Sequence, residues 1–425
     1  MMKRIALIAV LLPVLPGLSL AQTPKDTCVS CHAELDGNLS EPVKRFGADV
    51  HRQMGLTCVD CHGGDRNDES MDSMSRAKGF RGSPKKAQVP EFCARCHADV
   101  AYMHRFNPKM RTDQLSQYVT SVHGQRLKKG DKQVAACVDC HSVHNIRPSS
   151  DTRSPVHPAN VAATCSRCHS DPAHMKAYAI PTDQARKYAK STHARMIAEG
   201  DLSAPTCATC HGNHGATPPG ASSVASVCGT CHVVFHDLYE KSPHKPAFAK
   251  LGIPGCVQCH SNHDVVEPAS DWVGTTAKSV CTDCHVDGDK GYAAAGKIAG
   301  DLARLRTKIE RANQILAEAE YSGMEISSPR VELVSARDAL VKARRTVHSF
   351  DDAEVHKLTD EGAGISDKAY QAGVLALHER DLRRQGLGIA LIIILVTITA
   401  LYLKIRQMES AASNGSIVAT HGRDS

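Results

Sequence analysis

Two unbroken apolar runs lie near the ends of the chain, and two interrupted apolar stripes precede the second run. The first run, IALIAVLLPVLPGLSL, follows Lys3 and Arg4 and ends on small Ser19 and Ala21 before Gln22. Basic, apolar, then small is the order of a secretory signal, here residues 1–21. Pro13, Pro16 and the short core argue against a membrane helix there, and the absence of a cysteine after the cleavage point gives no lipoprotein anchor. The second run, GLGIALIIILVTITALYL, covers 386–403. As a helix it spans about 27 Å, close to a bilayer core, and predicts a transmembrane segment. The signal sends residues 22–385 outward and leaves a cytoplasmic tail at 404–425.

The first stripe places Ile298, Leu302, Leu305, Ile309, Ala312, Leu316 and Ala319 at alternating steps of four and three. This is a heptad-like face on one helix. SGMEISSP at 322–329 breaks it, and Pro329 suits a first helical turn. The second stripe is Leu333, Ala336, Leu340, Ala343, Val347 and Phe350. Together they predict an antiparallel helical hairpin within 291–385. A third helix from about Ile365 is expected to run into the membrane span.

Composition changes the picture for residues 22–290. Aromatics make up 4% of 425 residues, with Trp272 the single tryptophan. A chain of this length normally builds its core from more. The net charge of +6 is small and spread out, which excludes a nucleic-acid footprint. Histidine is abundant at 24, and there are 18 cysteines.

Every cysteine belongs to one motif, C-x-x-C-H, and the motif occurs nine times. The copies are Cys28, Cys31, His32; Cys58, Cys61, His62; Cys93, Cys96, His97; Cys137, Cys140, His141; and Cys165, Cys168, His169. They continue as Cys207, Cys210, His211; Cys228, Cys231, His232; Cys256, Cys259, His260; and Cys281, Cys284, His285. Thiols at i and i+3 share one face of a helical turn. From there they can add to the two vinyl groups of haem, and the next His can reach the iron. This is the c-type attachment signature. Zinc binding or disulfides would not require a His after every second Cys. Nine covalent haems c are expected. Their apolar discs would replace the missing aromatic core, with sparse short helices at the motifs. The predicted fold class is mainly α and irregular: a haem-packed domain over 22–290, the hairpin, then the membrane helix.

The haem region repeats. The pattern is a first motif, His, Tyr, Ser-x-His, a second motif, then x-x-His; it occurs from Cys93, Cys165 and Cys228, with a degenerate copy from Cys28. The ninth motif is left over. Recurrence marks three groups of candidate distal ligands: His51, His123, His193 and His244; His144, His214 and His263; and His104, His174 and His236. His157 stands apart. His348 is a candidate for the ninth haem, which lacks a downstream His within the haem region. His356 and His378 are read as surface or packing, and His421 falls on the cytoplasmic side. Met54, Met103, Met110, Met175 and Met196 are read as packing residues.

With S-V-H-G at 121–124 and the motifs ending at His144, His214 and His263, residues 22–290 resemble the multihaem c-type cytochromes with doubled C-x-x-C-H motifs, which serve respiratory electron transfer in the periplasm. The resemblance implies closely packed haems and, in many members, a quinone-linked integral-membrane partner. Enzymes on related scaffolds often carry C-x-x-C-K, which does not occur here. The leading reading is an electron-transfer protein between such a partner and periplasmic carriers or reductases. It is single-pass in the cytoplasmic membrane, with the haem domain in the periplasm. The rival is a nitrogen- or sulfur-oxyanion reductase, or a hydroxylamine-type oxidase, with one open haem. An assembly scaffold ranks last. The hairpin could pack on the ninth haem, form an oligomer seam or dock a membrane partner. One consequence is direct: Cys207→Ala is expected to lower covalent haem by one per chain, measured by haem absorbance against protein, and unchanged content would contradict the attachment.

Overall fold

The computed structural model describes residues 26–217 and 224–418. The expected signal at 1–21 and the end of the tail lie outside them. The chain divides into two compact units between Pro218 and Pro219. The sequence reading gave 22–290 as one haem domain. The division places six motifs in the first unit and three, with the long helices, in the second. A Pro-Pro-Gly run at 218–220 marks the boundary in the sequence.

The first unit is a succession of short helices; the longest among the described residues, Pro158–His169, has 12 residues. No strand occurs among the described residues. The hydrophobic cluster of this unit is small: Val89, Leu127, Val134 and Ala136, with Tyr118 and Tyr178 against it. Met103 and Met175 are buried as packing residues.

The second unit carries three motifs and then changes character. Helices Lys290–Tyr321, Ser327–Thr346 and Asp352–Val418 follow one another. Both predicted stripes face inward. Leu305, Ile309, Ala312, Leu316 and Ala319 of the first helix meet Leu333 and Ala336 of the second. The third helix begins at Asp352, well before the expected Ile365, and adds Ala363 and Ala369 to the same core. The predicted hairpin is therefore part of a three-helix bundle. The sequence reading underweighted the third helix because its buried face is built from small residues. Gly362 shows why they are small: a Cβ there would stand 2.9 Å from the Ala339 Cβ and 3.0 Å from Leu305. Lys297 with Asp352, and Lys308 with Asp367, tie the first helix to the third at the surface.

The third helix continues past the bundle. Its apolar stretch from Leu387 to Leu403 is exposed along its length, and the helix is long and apolar enough to cross a membrane. From Asp352 to Gln385 it rises roughly 50 Å along its axis. Leu305, fully buried in the bundle, gives the test of its packing. Leu305→Ala is expected to destabilise the bundle by about 2–5 kcal/mol, seen as an earlier loss of helical signal in denaturant; an unchanged midpoint would contradict this core.

Candidate haem centres

The motif helices are short and locally capped. Cys58–His62, Cys137–His141 and Cys207–His211 are each 5 residues long. The second variable position of the motif caps its own helix. Asp60 accepts from the Thr57 N–H at 2.6 Å, Asp139 from Ala136 at 2.7 Å, and Thr209 from Thr206 at 3.1 Å. Just after the His, the backbone turns left-handed at Gly63, Ser142, Gly212 and Ser261 and ends the helix. In CARCH and CSRCH the arginine reaches back: Arg95 donates to the Cys61 carbonyl at 2.8 Å and Arg167 to that of Asp139 at 2.5 Å. Successive motifs are thereby tied together.

The recurring Tyr and Ser-x-His have physical reasons too. Ser121 and Ser191 are buried N-caps that accept from Gly124 and Ala194. Each starts a helix whose second residue is the recurring His. Asp49 plays the same part for His51 in the degenerate repeat. The Tyr118 hydroxyl donates to the Ala135 carbonyl at 2.8 Å and Tyr188 to Pro205 at 2.9 Å. Both brace the strand of loop entering the next motif.

Among the described residues, motif histidines face a second imidazole in at least six places. In the first unit the ring centroids are 5.9 Å apart for His97 and His51, 6.1 Å for His62 and His144, 6.1 Å for His169 and His123, and 6.0 Å for His141 and His214. In the second they are 6.0 Å apart for His285 and His244, and 5.9 Å for His260 and His348. An imidazole nitrogen binds a transition metal at about 2 Å. Two rings ligating one ion from opposite sides therefore have centroids about 6 Å apart. The separations fit an iron between each pair.

The pairs obey a register. A Ser-x-His histidine, or its Asp49 counterpart, faces the first motif of the next repeat: His51 with His97, His123 with His169, His244 with His285. An x-x-His histidine faces the second motif of the preceding repeat: His144 with His62, His214 with His141. Ring planes follow the same division. The first kind is steep, at 81°, 59° and 89°. The second kind and His260 with His348 are flatter, at 30°, 9° and 9°.

Hydrogen bonds orient these rings for a metal. A carbonyl only accepts, so an Nδ1 bonded to one carries the proton and leaves the Nε2 lone pair free. His32 Nδ1 donates to the Leu39 carbonyl at 2.9 Å, His62 to Gly82 at 3.0 Å, and His348 to Arg345 at 3.0 Å. His51 Nδ1 is held by the Asp49 carboxylate at 2.8 Å. Burial opposes the ionised form of Asp49, but hydrogen bonds from His51 and the Ile146 N–H outweigh it and hold the carboxyl below its ordinary value. His244 differs: Phe248 and Phe350 wedge its ring, with Phe350 at 3.9 Å between centroids. Burial pushes His97, His123, His141, His144, His169, His214, His244, His260 and His348 below the ordinary histidine value. They are held in the neutral form a metal needs.

Other candidates are placed differently. His348 stands across from His260 and not from His285, for which the sequence reading proposed it; His244 already occupies that position. Among the described residues, His104, His174 and His236 face no motif histidine. His104 is exposed at the end of its helix. His174 lies beside Tyr178, and His236 turns its Nε2 toward Glu240 at 3.6 Å. These three follow the first motif too closely to reach the far side of a porphyrin. His157 is a buried helix cap whose Nδ1 accepts from the Ala159 N–H, so the proton sits on the nitrogen a metal would need. His193, His211, His232 and His263 are all engaged. Asp49, Phe350 and Trp272, the last 5.9 Å from His260, were not singled out from the sequence; of these, the Asp49-x-His51 match to Ser-x-His was a legible signal.

Consecutive motifs place their thiols together. Cys28 feels Cys58, Cys61 feels Cys96, and Cys140 feels Cys168. Cys93 shares a hydrogen bond with Cys137, and Cys165 with Cys207. In the second unit Cys228 bonds Cys256, and Cys259 feels Cys281 and Cys284. Within each unit the attachment points follow one another in chain order. His144→Ala is expected to add one high-spin haem to the ferric EPR spectrum and to weaken the signal of near-parallel imidazole pairs, whereas His104→Ala leaves the spectrum unchanged. The reverse result would contradict this pairing.

Residues 50–170 and 201–286 match the Cytochrome c3 family. No curated protein and no solved structure matches the chain. The matched stretches hold eight of the nine motifs, all but the one at Cys28. Thiol pairs one helical turn apart, opposed neutral imidazoles and this family match have the same chemistry behind them, covalently held c-type haem. The chain is a multihaem c-type cytochrome with a cytochrome c3-like haem region.

Proposed function

We propose that the chain binds nine haems c, one at each motif, and works as a periplasm-facing cytochrome anchored in the cytoplasmic membrane. It relays electrons between a quinone-linked integral-membrane partner and periplasmic carriers or reductases. The observation that carries this reading is the set of opposed imidazole pairs strung along thiols that neighbour one another in chain order. The bound haems supply one-electron redox chemistry. At the six motifs with a facing imidazole the protein's own residues would hold the iron from both sides, fix ring orientation through Nδ1, and keep attachment points adjacent. Two histidine ligands favour lower potentials than methionine with histidine.

The bundle bears on the partner. From Asp352 to the membrane run the third helix rises roughly 50 Å, and His348 lies at the end of the bundle remote from that run. A membrane partner exchanging electrons near His260 and His348 therefore needs redox centres of its own outside the bilayer.

Two measurements test the proposal. Spectroelectrochemical titration of the purified chain is expected to give midpoint potentials below those of Met/His cytochromes. In native membranes, quinol is expected to reduce the haems only where the partner is present. Potentials in the Met/His range, or haems inert to quinol in every membrane tested, would overturn it.

A further inference from the structure

We propose that the haem attached at Cys28 and Cys31 receives one axial ligand from this chain, His32, and that its opposite face takes a small exogenous π-acceptor ligand such as carbon monoxide or nitric oxide. This rests on the haem binding proposed above and assigns an open position to the first motif.

His32 is built as a ligand. Asp26 caps the Thr27–Ala33 helix by accepting from the Cys28 N–H at 3.1 Å. The Leu39 carbonyl holds the ring through Nδ1, so Nε2 offers its lone pair to the iron. The proximal side thus matches that of His62, which does have a facing imidazole.

The distal side does not match. Among the described residues no second imidazole faces His32. The register gives the reason. The histidine facing the first motif of a repeat comes from the repeat before it, as His51 serves His97 and His123 serves His169. Cys28 opens the first repeat, and residues 1–27 contain no histidine. Of the other histidines of this unit, His104 is exposed, His174 lies on Tyr178, His157 spends its Nδ1 lone pair on a helix cap, and His193 and His211 have partners of their own. The motif also lies outside the stretches that match the Cytochrome c3 family.

An iron with one imidazole is high-spin when ferric, and when ferrous it binds π-acceptor diatomics at the vacant position. An iron between two imidazoles does neither readily. Position matters as well. Cys28 neighbours Cys58, so a ligand bound here would sit at one end of the run of attachment points in its unit.

The test uses the full-length holoprotein purified from membranes. Low-temperature EPR of the ferric form is expected to show one high-spin haem per chain. The dithionite-reduced form is expected to bind one carbon monoxide per chain. In Cys28→Ala/Cys31→Ala both signals should vanish while the low-spin signals remain. Wholly low-spin ferric protein that ignores carbon monoxide would overturn the proposal. So would a near-infrared methionine-to-iron band assigned to this haem, or a high-spin signal that survives the double substitution. If the variant does not accumulate, the carbon monoxide stoichiometry and spin count of the parent protein decide. A chain purified without haem would instead defeat the proposed function itself.

Discussion

Two imidazoles held face to face about 6 Å apart can do one thing well, which is to clamp a transition metal between them. The rest of this structure is arranged to make that separation recur. Each pair joins residues far apart in sequence. His51 faces His97, and His144 reaches back to His62. The repeat from Cys93 faces motifs in both directions, with His123 opposite His169 and His144 opposite His62, so the repeats of the first unit interlock. This explains how a unit with a small side-chain core and helices of 12 residues or fewer can have a defined fold. Cross-links through metal can stand in for burial, as they do in small metal-dependent domains.

The same interaction reaches into the helical bundle. The x-x-His position has no counterpart after the ninth motif, and His348 stands in its place opposite His260, with a ring angle of 9° like that of His141 and His214. Phe350, two residues on, packs against His244. The turn between the second and third long helices thereby packs directly against two of the opposed histidines. The bundle below it is an ordinary hydrophobic structure, in which fully buried Leu305, Leu316 and Leu333 replace metal as the source of cohesion. Its third helix continues into an exposed apolar run long enough to cross a membrane.

Much of this was legible in the sequence because its signals are local. Thiol spacing, the apolar stripes and the recurring offsets of His123, His193 and His144 are all set within a few residues. What could not be read was which histidine meets which motif. That is a relation between repeats, and a repeat pattern alone does not say whether a ligand serves its own unit or the next. His104, His174 and His236 recur as regularly as the histidines that face a motif, yet short tethers keep them near their own motif. His348 was assigned to the motif of His285 because sequence proximity favours it, whereas the fold sets it opposite His260. The early start of the third helix was hidden by its small residues, Gly362, Ala363 and Ala369, which make a weak stripe and a tight contact.

The account stands on covalent haem at each thiol pair, and intact-mass spectrometry of the mature holoprotein tests that most directly. The measured mass is expected to exceed that of the polypeptide by nine haems, with none released under denaturing acid. A chain carrying fewer than eight, or one whose thiols prove to hold zinc or one another, would contradict it.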